Sequence, residues 1–280
     1  MIIFKTAADL SVHLQTTKQN GKSIGFVPTM GALHPGHLSL IQRSKQTTDL
    51  SVCSIFVNPT QFNNPDDFKH YPVTIEKDIE LLVKINCDIL FLPAVNEIYP
   101  AGHQQKNYEL GSIETILEGA YRPGHFQGVC EVVNRLLEIV APDHLFMGQK
   151  DYQQCIVIAQ LLSILEKEKE IELHIEPTLR EMDGLAMSSR NLRLSPENRE
   201  KAVAVWRSLA AIKAVYPGPS IQSITSQTTN ELNNAGFRVD YVEIRSAEDL
   251  EPITSNQQKA VALIAAGIGP VRLIDNLLLN

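Results

Sequence analysis

Two histidines three residues apart, His34 and His37, lie in a loop that carries Gly31 and Gly36 and follows a short apolar run, Ile24–Thr29. A strand feeding a glycine-bearing loop at a helix start is where α/β proteins hold phosphates. The unpaired N–H groups and the helix dipole there favour negative charge. Imidazoles at that point add hydrogen-bond donors, so the stretch fits the handling of nucleotide phosphates. Two plainer readings compete with it. One histidine could cap the helix while the other is exposed, or the pair could hold a metal together with His70, His103 or His125. The loop suits phosphate better than metal, because no cysteine or carboxylate stands at ligand spacing.

Further groups could complete such chemistry. In Gly148-Gln149-Lys150-Asp151, a lysine at a helix start is opposed by the dipole. It is either a solvated loop charge or a point charge for a phosphate, with Asp151 orienting it or helping with a cation. Met187-Ser188-Ser189-Arg190-Asn191 offers hydroxyl, backbone and guanidinium donors that could wrap a phosphate chain, and taken alone it is equally a polar turn. Gln61 and Gln154 are neutral amides able to bind hydroxyls and carboxylates without a charge to desolvate. Asp66, Asp67, Glu76 and Asp78 form an acidic stretch that could hold magnesium or simply be a solvated helix face.

The surrounding pattern alternates strands and helices. Helix is expected from Thr6-Ala7-Ala8-Asp9 to about Gly21, from about His37 to Thr47, over Thr74–Asn86 with Ile75, Ile79, Leu82 and Val83 at helical spacing, over Val129–Val140 and over Tyr152–Leu165. Strand is expected at Ile24–Thr29, Leu50–Val57, Asp88–Leu92, Asp143–Met147 and Ile171–Glu176. This alternation predicts an α/β fold, a Rossmann-like, mainly parallel sheet over residues 1–176. Ligands then bind beyond the carboxyl ends of the strands, so loops 30–37, 58–63 and 148–151 should share one edge. Beyond Pro177 the chain changes character. Ser195-Pro196 opens a helix, Pro217-Gly218-Pro219 breaks it, and Ile221–Asn234 is a second helix. Val239–Ile244, Lys259–Ala265 and Val271–Ile274 read as a small antiparallel sheet, giving a smaller α+β domain over residues 177–280 that should cover the active site.

Composition narrows the function classes. Hydrophobic residues are 44% and charged residues 20% of 280, as in an ordinary globular protein. The net charge of −7 and the lack of a basic, aromatic-interleaved segment argue against a nucleic-acid partner. Cys53, Cys87, Cys130 and Cys155 are never in C-x-x-C spacing and lie in or beside apolar runs, which suggests buried free thiols in a reducing compartment. The N-terminus lacks the pattern of a signal peptide, and no apolar run approaches the ~20 residues of a membrane span. A cytoplasmic protein with no membrane partner is expected.

Taken together the segments resemble a known family. Pro28-Thr29-Met30-Gly31-Ala32-Leu33-His34-Pro35-Gly36-His37 contains an H-x-G-H motif similar to the HIGH signature of the nucleotidyltransferase superfamily, and its full form resembles the pantoate–β-alanine ligases. Phe56-Val57-Asn58-Pro59-Thr60-Gln61-Phe62, Arg122-Pro123-Gly124-His125-Phe126, Gly148–Gln154 and Asp183–Asn191 match that family in order. The resemblance implies an AMP-forming ligase of pantothenate biosynthesis. It joins ATP and pantoate into pantoyl adenylate with magnesium, then lets β-alanine displace AMP. It implies ATP contacts at Met30, Gly31, Ala32, Leu33, His34, Pro35, Gly36, His37, Gly148, Gln149, Lys150, Asp151, Leu179, Met187, Ser188, Ser189 and Arg190. His34, His37, Lys150 and Arg190 would serve catalysis, with His37 as proton donor. Gln61 and Gln154 would grip pantoate, Gln61 would also touch β-alanine, and Asp78 matches a magnesium-linked acid. A homodimer is implied as well. The chain departs from the family at Gln149 (often Glu), Val73 (usually Arg) and Gln127 (commonly Arg). The alternative is another nucleotidyltransferase of the superfamily, acting on a different small acid or phosphate and keeping the nucleotide in its product.

Overall fold

The computed structural model describes residues 1–62, 68–218, 220–254 and 258–280; Asp66 and Asp67 of the acidic stretch lie outside these. The chain forms two compact units, one of Met1–Gly148 with Val157–Glu176 and the other of Gln149–Ile156 with Pro177–Asn280. Gln149–Ile156, expected in the first domain, belongs instead to the second unit.

The first unit is built on β1 (Ile2–Phe4), α1 (Ala7–Gln19), β2 (Ile24–Thr29), α2 (Pro35–Thr47), β3 (Leu50–Ile55), α3 (Ile75–Lys84), β4 (Ile89–Phe91), the short helices α4 (Val95–Ile98) and α5 (Leu117–Tyr121), α6 (His125–Val140), β5 (His144–Gly148), α7 (Tyr152–Ile164, whose first turns belong to the second unit) and β6 (Glu172–Glu176). Six strands pair in the order β1-β4-β3-β2-β5-β6, every pair parallel. From β2 the chain builds outward through β3 and β4, then returns to the other side of β2 with β5 and β6. The strand order therefore reverses between β2 and β5. In an open α/β sheet, ligands bind beyond the carboxyl ends of the strands at such a reversal. β2 and β3 deliver their following loops to that edge, and β5 ends there at Gly148.

Side-chain alternation gives the sheet its two apolar faces. Val27, Cys53, Ile55, Leu90 and Phe146 pack against Leu40 and Ile41 of α2 and Leu82 of α3. Burying each such side chain is worth about 1.5–3 kcal/mol. Gly25 lets α2 lie close to the sheet: a Cβ there would stand 2.2 Å from Ser44 Oγ and 2.7 Å from Thr48 Oγ1. α1 caps its own N-terminus as expected, Thr6 Oγ1 accepting from the Asp9 N–H at 3.3 Å.

The sequence reading missed one strand of this unit and misplaced some boundaries. β1 pairs with β4 as a three-residue edge strand too short to show a period. The strand Leu50–Val57 stops at Ile55. α6 starts at His125 rather than Val129, because Gly124 takes a left-handed φ of 77° and turns the chain into the helix four residues early.

In the second unit, α8 (Pro196–Val215) and α9 (Ile221–Asn234) pack on an antiparallel sheet of β7 (Arg238–Ser246), β8 (Ala260–Ile268) and β9 (Val271–Leu278) in that order. Each helix starts with a serine cap, the expected Ser195 accepting from Asn198 N–H at 3.2 Å and Ser220 from Ser223 N–H at 3.1 Å. The strands run further than expected because β8 is buried along its whole length, and a strand with no solvent face shows no alternation to mark its end.

Gly25→Ala tests the seat of α2. The added Cβ should lower stability by about 1–3 kcal/mol through overpacking, read as a lower urea midpoint at unchanged m value. An unchanged midpoint would show that α2 does not rest on this glycine.

Candidate functional site

The expected site residues divide between the two units. In the first, β2 ends at Thr29, whose hydroxyl donates to the Ser54 carbonyl (2.7 Å) and accepts from Gly31 N–H (3.2 Å). Gly31 and Ala32 then take left-handed φ values of 81° and 49°. That geometry turns the next two amides inward, where Asp78 of α3 receives them: Ala32 N–H donates to Oδ2 at 2.9 Å and Leu33 N–H to Oδ1 at 2.8 Å. The Thr74 hydroxyl adds a third donor to Oδ1 at 3.1 Å, and Asp78 is 0% exposed. A buried carboxylate is stable only with such donors. Gly31 is held to its residue type, since a Cβ would approach Asp78 Oδ2 to 3.1 Å and Ile55 Cγ2 to 3.0 Å.

The braced loop delivers His34 to the N-cap of α2 and Pro35 to its first turn. The His34 side chain makes no capping hydrogen bond to that helix, so the capping reading of this histidine does not hold. The rings of His34 and His37 lie 4.0 Å apart between centroids, tilted by 36°. Both sit at the positive end of α2, beyond the carboxyl end of β2.

Gln61 is fixed beside this loop. Its Nε2 donates to Met30 Sδ at 3.0 Å, and its Oε1 accepts from Asn58 Nδ2 at 3.2 Å. Asn58, 1% exposed, also donates to the Gly128 carbonyl and accepts from the Tyr99 hydroxyl at 2.9 Å. His125 Nδ1 lies 2.8 Å from the Gln61 carbonyl oxygen. Gly128 lets α6 press on this turn, because a Cβ would come within 2.4 Å of the Thr60 carbonyl. Asn58, Tyr99 and His125 thus position Gln61. The sequence marked the segments holding Asn58 and His125 but not this task, which arises from contacts up to 70 residues apart.

In the second unit, Gln149–Asp151 forms a single 3-10 turn leading into α7. Asn276 of β9 holds it: its Nδ2 donates to the carbonyls of Gln149 and Lys150, both at 2.9 Å, and its Oδ1 accepts from Gln149 Nε2 at 3.1 Å. Lys150 Nζ lies 3.6 Å from Asp151 Oδ1, and the lysine side chain is half-buried rather than a free loop charge. Next to Asn276, Asp275 takes a two-pronged bond from Arg180 at 2.6 and 3.0 Å. Burial pushes the Asp275 carboxyl above the usual carboxylate range, against the pull of Arg180 and, more weakly, Lys150. The Arg180 guanidinium stacks 3.9 Å over the Trp206 ring, and Trp206 also fills the space a Cβ of Gly184 would need. The segment 179–187 folds back on itself, Met187 N–H donating to the Leu179 carbonyl at 3.1 Å. Ser188 then caps a 3-10 turn over Ser189–Arg193 that carries Arg190. Leu179 is exposed, Gln154 is half-buried, and no signal in the sequence marks Asn276 or Asp275.

Two expectations change. Ala32 and Leu33 cannot offer their N–H groups to a phosphate, because Asp78 holds both. Asp78 itself is buried and already accepts three hydrogen bonds, two on Oδ1 and one on Oδ2, so in this structure its carboxyl serves the loop. The metal reading of the histidine loop also fails, since among the described residues the one converging group of metal-ligating side chains is elsewhere. Nor is a thiol nucleophile available, because burial pushes all four thiols up, Cys130 to about 12. Of the three departures, Gln127 ties Glu114 to the Tyr108 backbone, Gln149 binds Asn276, and Val73 is exposed.

The profile of the family described as Pantoate-beta-alanine ligase matches residues 2–278. The chain is 45% identical to a pantothenate synthetase of Cytophaga hutchinsonii, over 100% of this chain and 99% of that one. It is 43% identical to one of Aliivibrio fischeri, over 100% and 97%. Its fold is similar to the crystal structure of pantothenate synthetase from Thermus thermophilus, with a TM-score of 0.92, 40% identity and 99% of each chain covered. It is also similar to pantoate-beta-alanine ligase from Francisella tularensis complexed with beta-gamma ATP and beta-alanine, with a TM-score of 0.85, 38% identity, and coverage of 99% of this chain and 97% of that one.

Asp78→Asn separates a brace from a metal ligand. Asparagine leaves one loop amide without its acceptor, so stability without nucleotide or metal should fall by about 1.5–3 kcal/mol in urea unfolding. A residue serving only as a metal ligand would leave that metal-free stability unchanged.

Proposed function

Because the chain belongs to the pantoate–β-alanine ligase family, we propose that it condenses pantoate with β-alanine in two steps driven by ATP, a reaction of pantothenate biosynthesis. In the first step a pantoate carboxylate oxygen attacks the α-phosphorus. The new P–O bond forms as the bond to the leaving oxygen breaks, giving pantoyl adenylate and pyrophosphate. In the second, the neutral amine of β-alanine attacks the acyl carbon. The C–N bond forms, the C–O bond to AMP breaks, and the amine loses a proton.

The observation that carries this reading is the position of His34 and His37. They stand at the start of α2, beyond the end of β2, where the strand order reverses. Phosphoryl transfer needs alignment and charge neutralisation more than covalent help. His34 and His37 meet charge developing on the phosphates, and His37 supplies a proton to the departing pyrophosphate. Lys150 and Arg190 add positive charge, with the hydroxyls of Ser188 and Ser189 as further donors. Met30, Gly31, Ala32, Leu33, Pro35 and Gly36 line the nucleotide by shape. Gly148, Gln149, Asp151 and Met187 make the remaining contacts, and Leu179 touches adenine with its backbone. Gln61 and Gln154 hold pantoate as neutral amides, and Gln61 also meets β-alanine. Mg2+ enters as the complex with ATP, as a property of the substrate. The second step rests on proximity and on keeping a reactive acyl adenylate from water.

Four buried cysteines, none of them in a disulfide, support a reducing, cytoplasmic setting, and among the described residues no helix is long and apolar enough to cross a membrane. A homodimer completes the reading, and sedimentation equilibrium measures it directly.

Exchange of pyrophosphate into ATP should require pantoate and should proceed without β-alanine. Exchange that ignores pantoate, or its absence despite ATP binding, would overturn the reading. AMP should appear free in solution; a nucleotide retained in the product would mark a nucleotidyltransferase instead. His37→Ala should lower kcat about 100- to 1,000-fold, the scale of losing a transition-state donor, with the melting temperature nearly unchanged. A large fall in melting temperature with activity per folded molecule preserved would make His37 a structural residue.

A further inference from the structure

A second histidine pair lies on the other side of the reversal. His144 opens β5 and pairs with Glu172, which opens β6, and Phe146 pairs with His174 two residues on. Residues two apart on a strand share a face, so His144, Phe146, Glu172 and His174 project from the same side of the sheet. His144 Nδ1 is 2.9 Å from His174 Nε2. Glu172 faces both rings, one oxygen to each: Oε2 at 3.5 Å from His144 Nδ1 and Oε1 at 3.6 Å from His174 Nε2. The histidine side chains are 22% and 15% exposed, and that of the glutamate is 66% exposed. The His174 ring is fixed by stacking on Phe146, 4.5 Å between centroids and 9° from parallel.

We propose that His144, Glu172 and His174 bind a divalent transition-metal ion of the zinc class. Two imidazole nitrogens this close share either an N–H···N hydrogen bond or a cation held by both lone pairs. Zinc bonds of about 2.0–2.1 Å at tetrahedral angles separate ligand atoms by about 3.3 Å. The two imidazole nitrogens stand 2.9 Å apart, and each has a carboxylate oxygen of Glu172 near that spacing, Oε2 for His144 and Oε1 for His174, with one ligand atom from each residue within 4.8 Å of the others. Two imidazoles and one carboxylate suit zinc, cobalt or nickel, whereas magnesium prefers oxygen alone. The fourth position is left to water from the glutamate side. His144 stands four residues before Gly148, roughly 13 Å along the strand from the edge where ligands bind. The ion therefore takes no part in the ligase chemistry. Its work is to clip β6, an edge strand of the sheet, to β5.

Zinc alone, titrated into the full chain against a chromogenic chelator, tests this. The wild type should hold about one ion per chain, and its melting temperature should rise with zinc. Cobalt in its place should give the strong visible bands of a tetrahedral site. The double variant His144→Gln, His174→Gln should lose more than tenfold in zinc affinity, together with the cobalt bands and the thermal shift. Glu172→Gln alters a mostly exposed side chain, so it keeps the test decisive if the double variant does not fold, and it should also weaken binding. Failure of the wild type to hold zinc at micromolar free ion overturns the proposal. So does equal binding by the folded double variant, which would place the ion on other histidines, or unchanged binding by Glu172→Gln.

Discussion

Two backbone amides turn inward at the end of β2, and a buried carboxylate has to meet them. Gly31 and Ala32 adopt left-handed backbone conformations, which points the N–H groups of Ala32 and Leu33 away from solvent. Left unpaired, each would cost about 1–3 kcal/mol. Asp78, fully buried, takes one on each oxygen, and these same bonds make its burial tolerable. The contact thereby ties the start of α3 to the loop before α2. It sets where α2 begins, and with it the placement of His34 and His37. The expected phosphate nest is inverted: the amides of Ala32 and Leu33 serve an internal carboxylate.

The second unit solves a similar problem with different groups. A short turn carrying Lys150 has to be held without engaging the ammonium. Asn276 grips two of its carbonyls and the Gln149 amide, so the backbone is fixed while the lysine ammonium stays 3.6 Å from Asp151. Asp275 beside it is bound by Arg180, which in turn rests on Trp206. A buried pair of this kind adds little net stability. What it contributes is register, since it ties the segment bearing Leu179 and Met187 to β9. Functional groups held by rigid elements and by supporting hydrogen bonds keep their geometry better than groups on free loops.

Much of the first unit was legible in the sequence. Ile24–Thr29 read as a strand because it is an unbroken apolar run ended by a glycine loop, and Ile75, Ile79 and Leu82 repeat at helical spacing. Ser195, followed by Pro196, announces its helix. Less visible were β1, too short to show a period, the start of α6, set by one left-handed glycine, and the length of β8, buried on all sides. The membership of Gln149–Ile156 in the second unit was hidden as well, because Tyr152 and the Gln149 backbone find partners nearly a hundred or more residues away, at Ala247 and Asn276.

The types and spacing of residues marked His34, His37 and Lys150 as chemically useful and placed them in an α/β chain whose loops follow parallel strands, whereas Gln61 and Ser188-Ser189-Arg190 stood out only through the family resemblance. Those properties are local, carried by short segments and by alternation along a strand or helix. The work of Asp78 was decided only in three dimensions. From the sequence it is one acid among several on a polar helix face. In the folded chain it is the group that Ala32 and Leu33 require, because a loop 46 residues away turns beside it with two amides to satisfy. Asn58 and Asn276 owe their tasks to the same cause. A buried polar side chain takes its meaning from the donors and acceptors that tertiary packing brings within about 3 Å, and sequence spacing does not encode them.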